Sequence, residues 1–401
     1  MAIKKQTAIT QGKGNLLKVI SFSYFAVFLG HSLWRSTFYN YSIEVIQLDQ
    51  TEISWLFSIA SIPGIFAFLL GYIAHKVPLH LLTGITLLLL GTGLLVLGIA
   101  SDNKGLLLGT FMLSMGFAWY LPLAHNVCIR ERSHRSVNRA LGRLKSLGPF
   151  AAALTAILIY FFNHNHQIEP LFIISGISLL FVGLVVGKSL RNSHYRRKRT
   201  ALHFSPGLWS FYLLNFISGS RSALFKAFIM TQFVSAFQMS IVSMSLLLLA
   251  GNITGIFGYR LLGALADKFN PINILTILYI IIAAVFGGFS YALMQAPSQG
   301  IMLAMILFLI DSLLFGSAVI TDAYLKQADR SAYIVSDLAT GMTFFHLAGF
   351  LLPIVGNLIW DKFGINGVLT LGACISISGA ISSRFMLALA RQPTIHPRKI
   401  S

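Results

Sequence analysis

Apolar runs of about 20 residues, separated by short polar stretches, recur along the chain from residue 17 to residue 389. At about 1.5 Å of rise per residue, a helix of that length crosses the hydrocarbon core of a bilayer, about 30 Å thick. A window of about 19 residues places twelve spans at roughly 17–46, 52–74, 79–100, 104–128, 137–162, 168–187, 206–233, 239–265, 271–293, 300–324, 335–359 and 365–389. Lipid offers no hydrogen bonds to an open backbone, so a spanning segment is a helix or part of a closed barrel, and the period-two alternation of barrel strands is missing here. The pattern predicts an all-α membrane protein of twelve transmembrane helices joined by short loops.

Composition agrees with that reading. Of 401 residues 56% are hydrophobic and only 10% charged, with a mean hydropathy of +0.75, which no soluble domain fits. Charge asymmetry then sets the orientation. With the N-terminus inside, 23 of the 30 Lys and Arg residues fall at the inner ends of spans or in the adjoining loops, and only Lys104 and Lys362 lie outside. The outer loops instead carry Glu44, Asp49, Glu52, Asp102, Glu169 and Asp361. The net charge of +18 is therefore a consequence of topology; membrane lipids with anionic headgroups are the expected neighbours of the basic loops, and nucleic acid is not an expected partner. The first 14 residues are polar, and the apolar segment after them carries His31, Arg35 and Glu44, so no cleavable signal is expected. An integral, multi-pass inner (cytoplasmic) membrane protein with both termini cytoplasmic is the expectation. Cys128 and Cys374 have no metal-ligand spacing, and no metal is expected.

Sequence self-similarity divides the chain in two. Arg35-Ser36 and Arg221-Ser222 lie 186 residues apart. Gly71-Tyr72-Ile73-Ala74-His75-Lys76 and Gly263-Ala264-Leu265-Ala266-Asp267-Lys268 are 192 apart, and His134-Arg135-Ser136 and Asp329-Arg330-Ser331 are 195 apart. Three anchors in one order at nearly one offset read as an internal duplication, the organisation that places a transport path between two halves. The expected division is a cytoplasmic N-terminal tail at 1–16, a six-helix bundle at 17–187, a basic cytoplasmic linker at 188–205, a second six-helix bundle at 206–389 and a cytoplasmic C-terminal tail at 390–401.

Gly263-Ala264-Leu265-Ala266-Asp267-Lys268-Phe269, between spans 8 and 9, resembles the G-x-L-a-D-r/k loop of the major facilitator superfamily, and the twelve spans and basic central loop resemble it too. The first half departs from the pattern: His75 stands where the acid is expected, Pro78 follows, and the trailing Arg pair is missing. The resemblance implies two pseudo-symmetric bundles that rock about a central site. It further implies a gate in which Asp267 caps a helix terminus and salt-bridges the neighbouring helix. Lys268, His75 and Arg330 complete the expected gate set.

Two arginines stand deep in matching spans, Arg35 in span 1 and Arg221 in span 7. A cation in hydrocarbon costs at least about 2.5 to 3.5 kcal/mol, so a symmetric pair calls for a partner or a task. Two guanidinium forks suit the oxygens of a phosphate or carboxylate. The pair is similar to the helix-1 and helix-7 arginines of organophosphate:phosphate antiporters, although span 2 lacks that family's Lys and span 5 its His. A small organic anion, phosphorylated or carboxylate, carboxylate siderophores included, is the expected substrate. His31, Trp34, Tyr39, Trp119, Tyr120 and Lys226 are the further candidates for its pocket. An Arg that pairs with an acid to fix helix packing is the competing reading.

Asp311 is the one acid that sequence places deep in a span, either a proton carrier or the partner of an Arg. His125 and His346 are the other coupling candidates, with a proton or a counter-anion as the coupling ion; no cofactor is expected. Gly148-Pro149-Phe150-Ala151-Ala152-Ala153 is similar to an element of proton-driven drug exporters, which sustains export of an amphipathic compound as the alternative. Neither a G-x-S-x-G nor a phosphate-binding P-loop occurs, so an enzyme is not expected. The protein is expected to work as a monomer.

Overall fold

The computed structural model describes residues 2–40, 50–100, 103–131, 136–163, 169–191, 206–239, 241–327 and 334–390. Among them nine helical stretches are long and apolar enough to cross a membrane. The last, Ile334–Phe385, holds two crossings, and the shorter apolar helix Ser58–Ala74 and the broken helix from Trp209 to Ser235 bring the total to twelve. Helix 1 is Ala2–Asn40, so it begins well before the apolar run and takes up the stretch expected as a tail. Helix 2 comprises Gln50–Ile65 and Leu69–Lys76 around a 3₁₀ turn at Phe66–Phe68. Helix 3 is Leu79–Ile99, helix 4 Asn103–Glu131, helix 5 Val137–Lys145 with Leu147–Asn163, and helix 6 Glu169–Arg191. Helix 7 runs through Trp209–Leu224, a π turn at Phe225–Ile229, and Met230–Ser235. Helix 8 is Ile241–Lys268, helix 9 Pro271–Leu293, and helix 10 Pro297–Leu314 with Ser317–Gln327. Helices 11 and 12 share Ile334–Ala390.

Local chemistry explains the boundaries. Val77, extended at φ −102°, ends helix 2 because Pro78 disfavours a helical residue before it. The Asn270 side chain accepts the Ile272 N–H, and Pro271 opens helix 9 with its φ already fixed. Gly364, at φ 63°, turns helix 11 into helix 12 in a conformation open to glycine at no steric cost. Pro63 sits inside helix 2 and lacks an N–H for the helix ladder, and the 3₁₀ turn begins three residues on, at Phe66.

Small residues set the packing, as expected where lipid supplies no hydrophobic drive between helices. Gly91 of helix 3 and Gly176 of helix 6 approach so closely that a Cβ on Gly91 would stand 2.9 Å from the Gly176 carbonyl oxygen. Ile174, Ile177, Phe181 and Leu184 of helix 6 are all exposed and form the face turned to lipid. The two halves meet through helix 5 against helix 8 and helix 2 against helix 11. At the end of the molecule that carries the basic loops, called the basic end below, Gly142 of helix 5 faces the Tyr259 carbonyl of helix 8, and a Cβ on Gly263 would stand 2.7 Å from the Asn138 carbonyl oxygen. On the other seam, the Phe68 N–H in the 3₁₀ turn donates to Thr343 Oγ1 at 2.9 Å, and Gly71 abuts Ser336. The halves are thus pressed together at the basic end.

Candidate transport pathway and gate

Arg221 is the first site residue that the structure settles geometrically. Its Nε donates to Asp311 Oδ1 at 3.0 Å, and its Nη2 donates to the same oxygen at 2.6 Å and to the Asp311 carbonyl at 2.7 Å. The carbonyl is open because helix 10 breaks just after it: the Phe315 N–H donates to Ser312 instead. Phe315 lies under the guanidinium, 4.7 Å from its ring centroid, and both charged side chains are nearly fully buried. The Nε and Nη2 donors of Arg221 are therefore engaged with Asp311. The acid and the base read separately from the sequence are one ion pair, linking helices 7 and 10 of the second half.

Arg35 is exposed, with half-buried His31 one turn before it on helix 1. The fields of Arg35, Lys226 and His346 converge on His31, and Lys226 also feels Arg35 and acts on His346. Lys226 is carried on the π turn of helix 7, an irregularity that concentrates at functional positions. His346 packs against Gly64 across the seam between helices 2 and 11. His31 stacks on Phe117 of helix 4 at 3.8 Å between centroids. Helices 1, 7 and 11 thus bring together four basic residues, while Arg221 carries its own counter-ion, Asp311.

The other aromatic candidates serve the packing. Trp34 donates its Nε1–H to Thr110 Oγ1 at 3.3 Å, tying helix 1 to helix 4. Tyr120 is fully buried against Ser23 at 2.6 Å, and Trp119 packs among Ala67, Leu70, Leu123 and Ala339. The side chains of Tyr39 and His75, and all of Arg330, lie outside the described residues.

Asp267 stands where a gate was expected. Its Oδ2 accepts the Arg139 main-chain N–H at 3.1 Å and lies 3.9 Å from Arg139 Nε. Arg139 is the third residue of Val137–Lys145, and Ser136, the helix's own N-cap, makes no side-chain cap bond. A carboxylate from the second half caps a helix of the first. The neighbouring Lys268 is exposed.

A second inter-bundle cluster was not read from the sequence. Asp322 Oδ2, on helix 10, lies 2.9 Å from His125 Nδ1 of helix 4 and 2.7 Å from Lys145 Nζ of helix 5. Lys145 also donates to the Ala318 carbonyl at 3.2 Å, and Tyr24 Oη of helix 1 reaches His125 Nε2 at 3.5 Å. Asp311 is therefore not the sole buried acid. A signal existed for both partners. Asp322 follows Asp311 by eleven residues, about three turns, and Lys145 shares a stripe with buried Asn138 and Leu141, opposite exposed Arg139 and Arg143.

Twelve helices in two bundles packed along a buried polar seam are the architecture of a membrane transporter. The family model of the Major Facilitator Superfamily matches residues 20–333, and the chain belongs to that superfamily. Solved structures agree in fold. The E. coli fucose:proton symporter superposes with a TM-score of 0.69 at 12% identity, over 92% of this chain and 98% of that one. A human organic anion transporter gives 0.70 at 11%, and a nucleoside transporter 0.65 at 14%, each over 92% of this chain and 99% of its own. No curated protein matches the chain in sequence.

Proposed function

We propose that this facilitator carries a small organic anion, carboxylate or phosphorylated, bound at the seam between Arg35 and His31 of helix 1, Lys226 of helix 7 and His346 of helix 11. The reading is supported by the placement of these basic residues on helices 1, 7 and 11, with His346 packed against Gly64 across the seam and each of them within electrostatic reach of another. Arg221, its charge matched by Asp311, holds helices 7 and 10 in register instead of contacting the solute. Solved relatives in fold are described as fucose, nucleoside and organic anion transporters, so the fold alone does not choose a substrate. The basic cluster favours the anion.

The charge bias of the loops makes the basic end cytoplasmic, so the protein resides in an inner membrane with both termini inside. Drug export is not favoured: Gly148 of the exporter-like element abuts Phe28 of helix 1, a packing contact within one bundle, and Trp119 and Tyr120 are locked in the core. The test is counterflow in proteoliposomes with a tricarboxylate, a phosphomonoester, a neutral sugar, a nucleoside and a cationic amphiphile. The anions should be carried, and Arg35→Ala and Lys226→Ala should each weaken apparent affinity at least about tenfold. Transport of the neutral or cationic compounds without the anions overturns the reading.

A further inference from the structure

One hydrogen bond at the basic end joins two helices on their outer, lipid-facing side. Arg384 of helix 12 donates from Nη1 to Asn273 Oδ1 of helix 9 at 2.8 Å, and both side chains are exposed. Behind this contact the two helices are held together by small groups: Thr276 and Ser383 share a 2.6 Å hydrogen bond, and Gly379 lies against the Tyr279 ring. From the bonded pair two exposed apolar stripes run side by side into the membrane, Ile277 and Ile280 following Asn273 at i+4 and i+7, and Ile381 and Ile377 preceding Arg384 at i−3 and i−7. Trp209, which opens the helical stretch Trp209–Leu224, is exposed next to them, its ring centroid 5.3 Å from that of Phe385. A tryptophan exposed at a helix end belongs at the level of the lipid headgroups.

Among the described residues no carboxylate pairs with Arg384, and its Nε and Nη2 donors have no protein partner. A guanidinium fixed through one nitrogen presents the rest of its planar fork, which matches two oxygens of a phosphate. We propose that Arg384, Asn273 and Trp209 form a site for one anionic phospholipid of the cytoplasmic leaflet, its phosphate on the free guanidinium donors and its acyl chains along the isoleucine stripes. The Asn273 side chain, its oxygen taken by Arg384, turns its amide N–H groups to the same headgroup. A zwitterionic headgroup would bring a cation of its own, and nothing here receives it: Asp267, the acid nearest in sequence to Asn273, is buried against Arg139, and the exposed charge just before helix 9 is Lys268. Free phosphate would leave both isoleucine stripes uncovered, so the charge and the apolar surface together select a lipid. Helices 7, 9 and 12 all belong to the second half, so the site moves as one body when the bundles rock, and its lipid stays bound through the cycle as an anchor of that half. The proposal goes beyond the anion reading and does not rest on it, because the site faces the bilayer and not the seam.

The test is fluorescence quenching on the purified full-length protein in lipid nanodiscs. A bimane is attached at Ile280→Cys, on the stripe, or at Ile177→Cys, on the lipid-facing side of helix 6, in a background with Cys128→Ala and Cys374→Ala. The quenchers are phosphatidylglycerol and phosphatidylcholine carrying a nitroxide on one acyl chain, compared at equal mole fraction. At Ile280→Cys phosphatidylglycerol should be preferred about fivefold, the contribution of one Arg near an anionic headgroup. At Ile177→Cys the two lipids should quench alike. Arg384→Gln should abolish the preference at Ile280→Cys, and Arg143→Gln, which removes an exposed charge from the basic end of the first half, should leave it intact. Millimolar inorganic phosphate should not release the lipid. Equal quenching by the two lipids at Ile280→Cys, a preference that survives Arg384→Gln, or displacement by free phosphate overturns the proposal. Should Arg384→Gln not fold, the comparison of the two lipids at Ile280→Cys and Ile177→Cys decides it alone, a like response at both positions overturning it.

Discussion

Asp267 and Arg139 stand in opposite halves of the chain, and the Asp267 carboxylate accepts the Arg139 main-chain N–H at 3.1 Å. One half therefore completes the helix terminus of the other, and only while the basic end is shut. Asp267→Ala should lose a cap worth about 0.5 to 2 kcal/mol, raising the open population about 2- to 30-fold. The check is alkylation of Ala266→Cys, a buried neighbour at the basic end, by a water-soluble maleimide. An unchanged rate contradicts the capping role.

Closure also depends on the bare backbone where helices 5 and 8 cross. A methyl group on Gly142 would collide with the Tyr259 carbonyl, and there backbone is met on both sides. Gly142→Ala should hold the basic end open and stop turnover while the protein still folds. Gly287→Ala, where no atom stands within 4 Å, should leave transport intact and gain up to about 1 kcal/mol of helix stability. Uptake and thermal denaturation of the two variants decide this.

For the buried pair of the second half, the prediction concerns stability. Asp311→Asn leaves Arg221 as an uncompensated buried cation and should cost about 3 to 5 kcal/mol, whereas Arg221→Met combined with Asp311→Leu should restore most of it. Denaturation in detergent gives both values. A double variant no better than the single one would show that Arg221 is held by more than its acid.

At the proposed anion site the same logic runs the other way. Lys226→Met should weaken anion binding at least about tenfold while leaving the denaturation midpoint within a few degrees of wild type, because its task is toward the solute. Equal losses of binding and stability would assign it a structural part.

The architecture was legible in the sequence because hydrocarbon imposes one strong rule, which the twelve apolar runs, the loop charges and the three repeat anchors all obey. Asp267 was legible for a local reason, since its motif is contiguous. The pairings were not. Arg221 and Asp311 are ninety residues apart, and nothing in either segment says that a break after Asp311 opens a carbonyl to the guanidinium. Symmetry suggested a pair of arginines, and one of them, Arg221, is buried against an acid. Lys145 and Asp322 lie near the ends of spans, where Lys145 merges into the general positive bias. What betrays it is the face it occupies, beside Leu141 and away from Arg143.

Helix 10 is two rods joined at Phe315 and Gly316, with Asp311 on one and Asp322 on the other. A jointed lever transmits force only as well as its joint is stiff. Slack there would let one end swing while the other stayed put, and such a cycle slips, completing a turn without moving cargo. Gly316 is pressed against Gly258 and Leu262 of helix 8, and Phe315 is pinned under the Arg221 guanidinium. Those contacts take up the play, so the buried Arg221–Asp311 pair governs how tightly the two ends keep step.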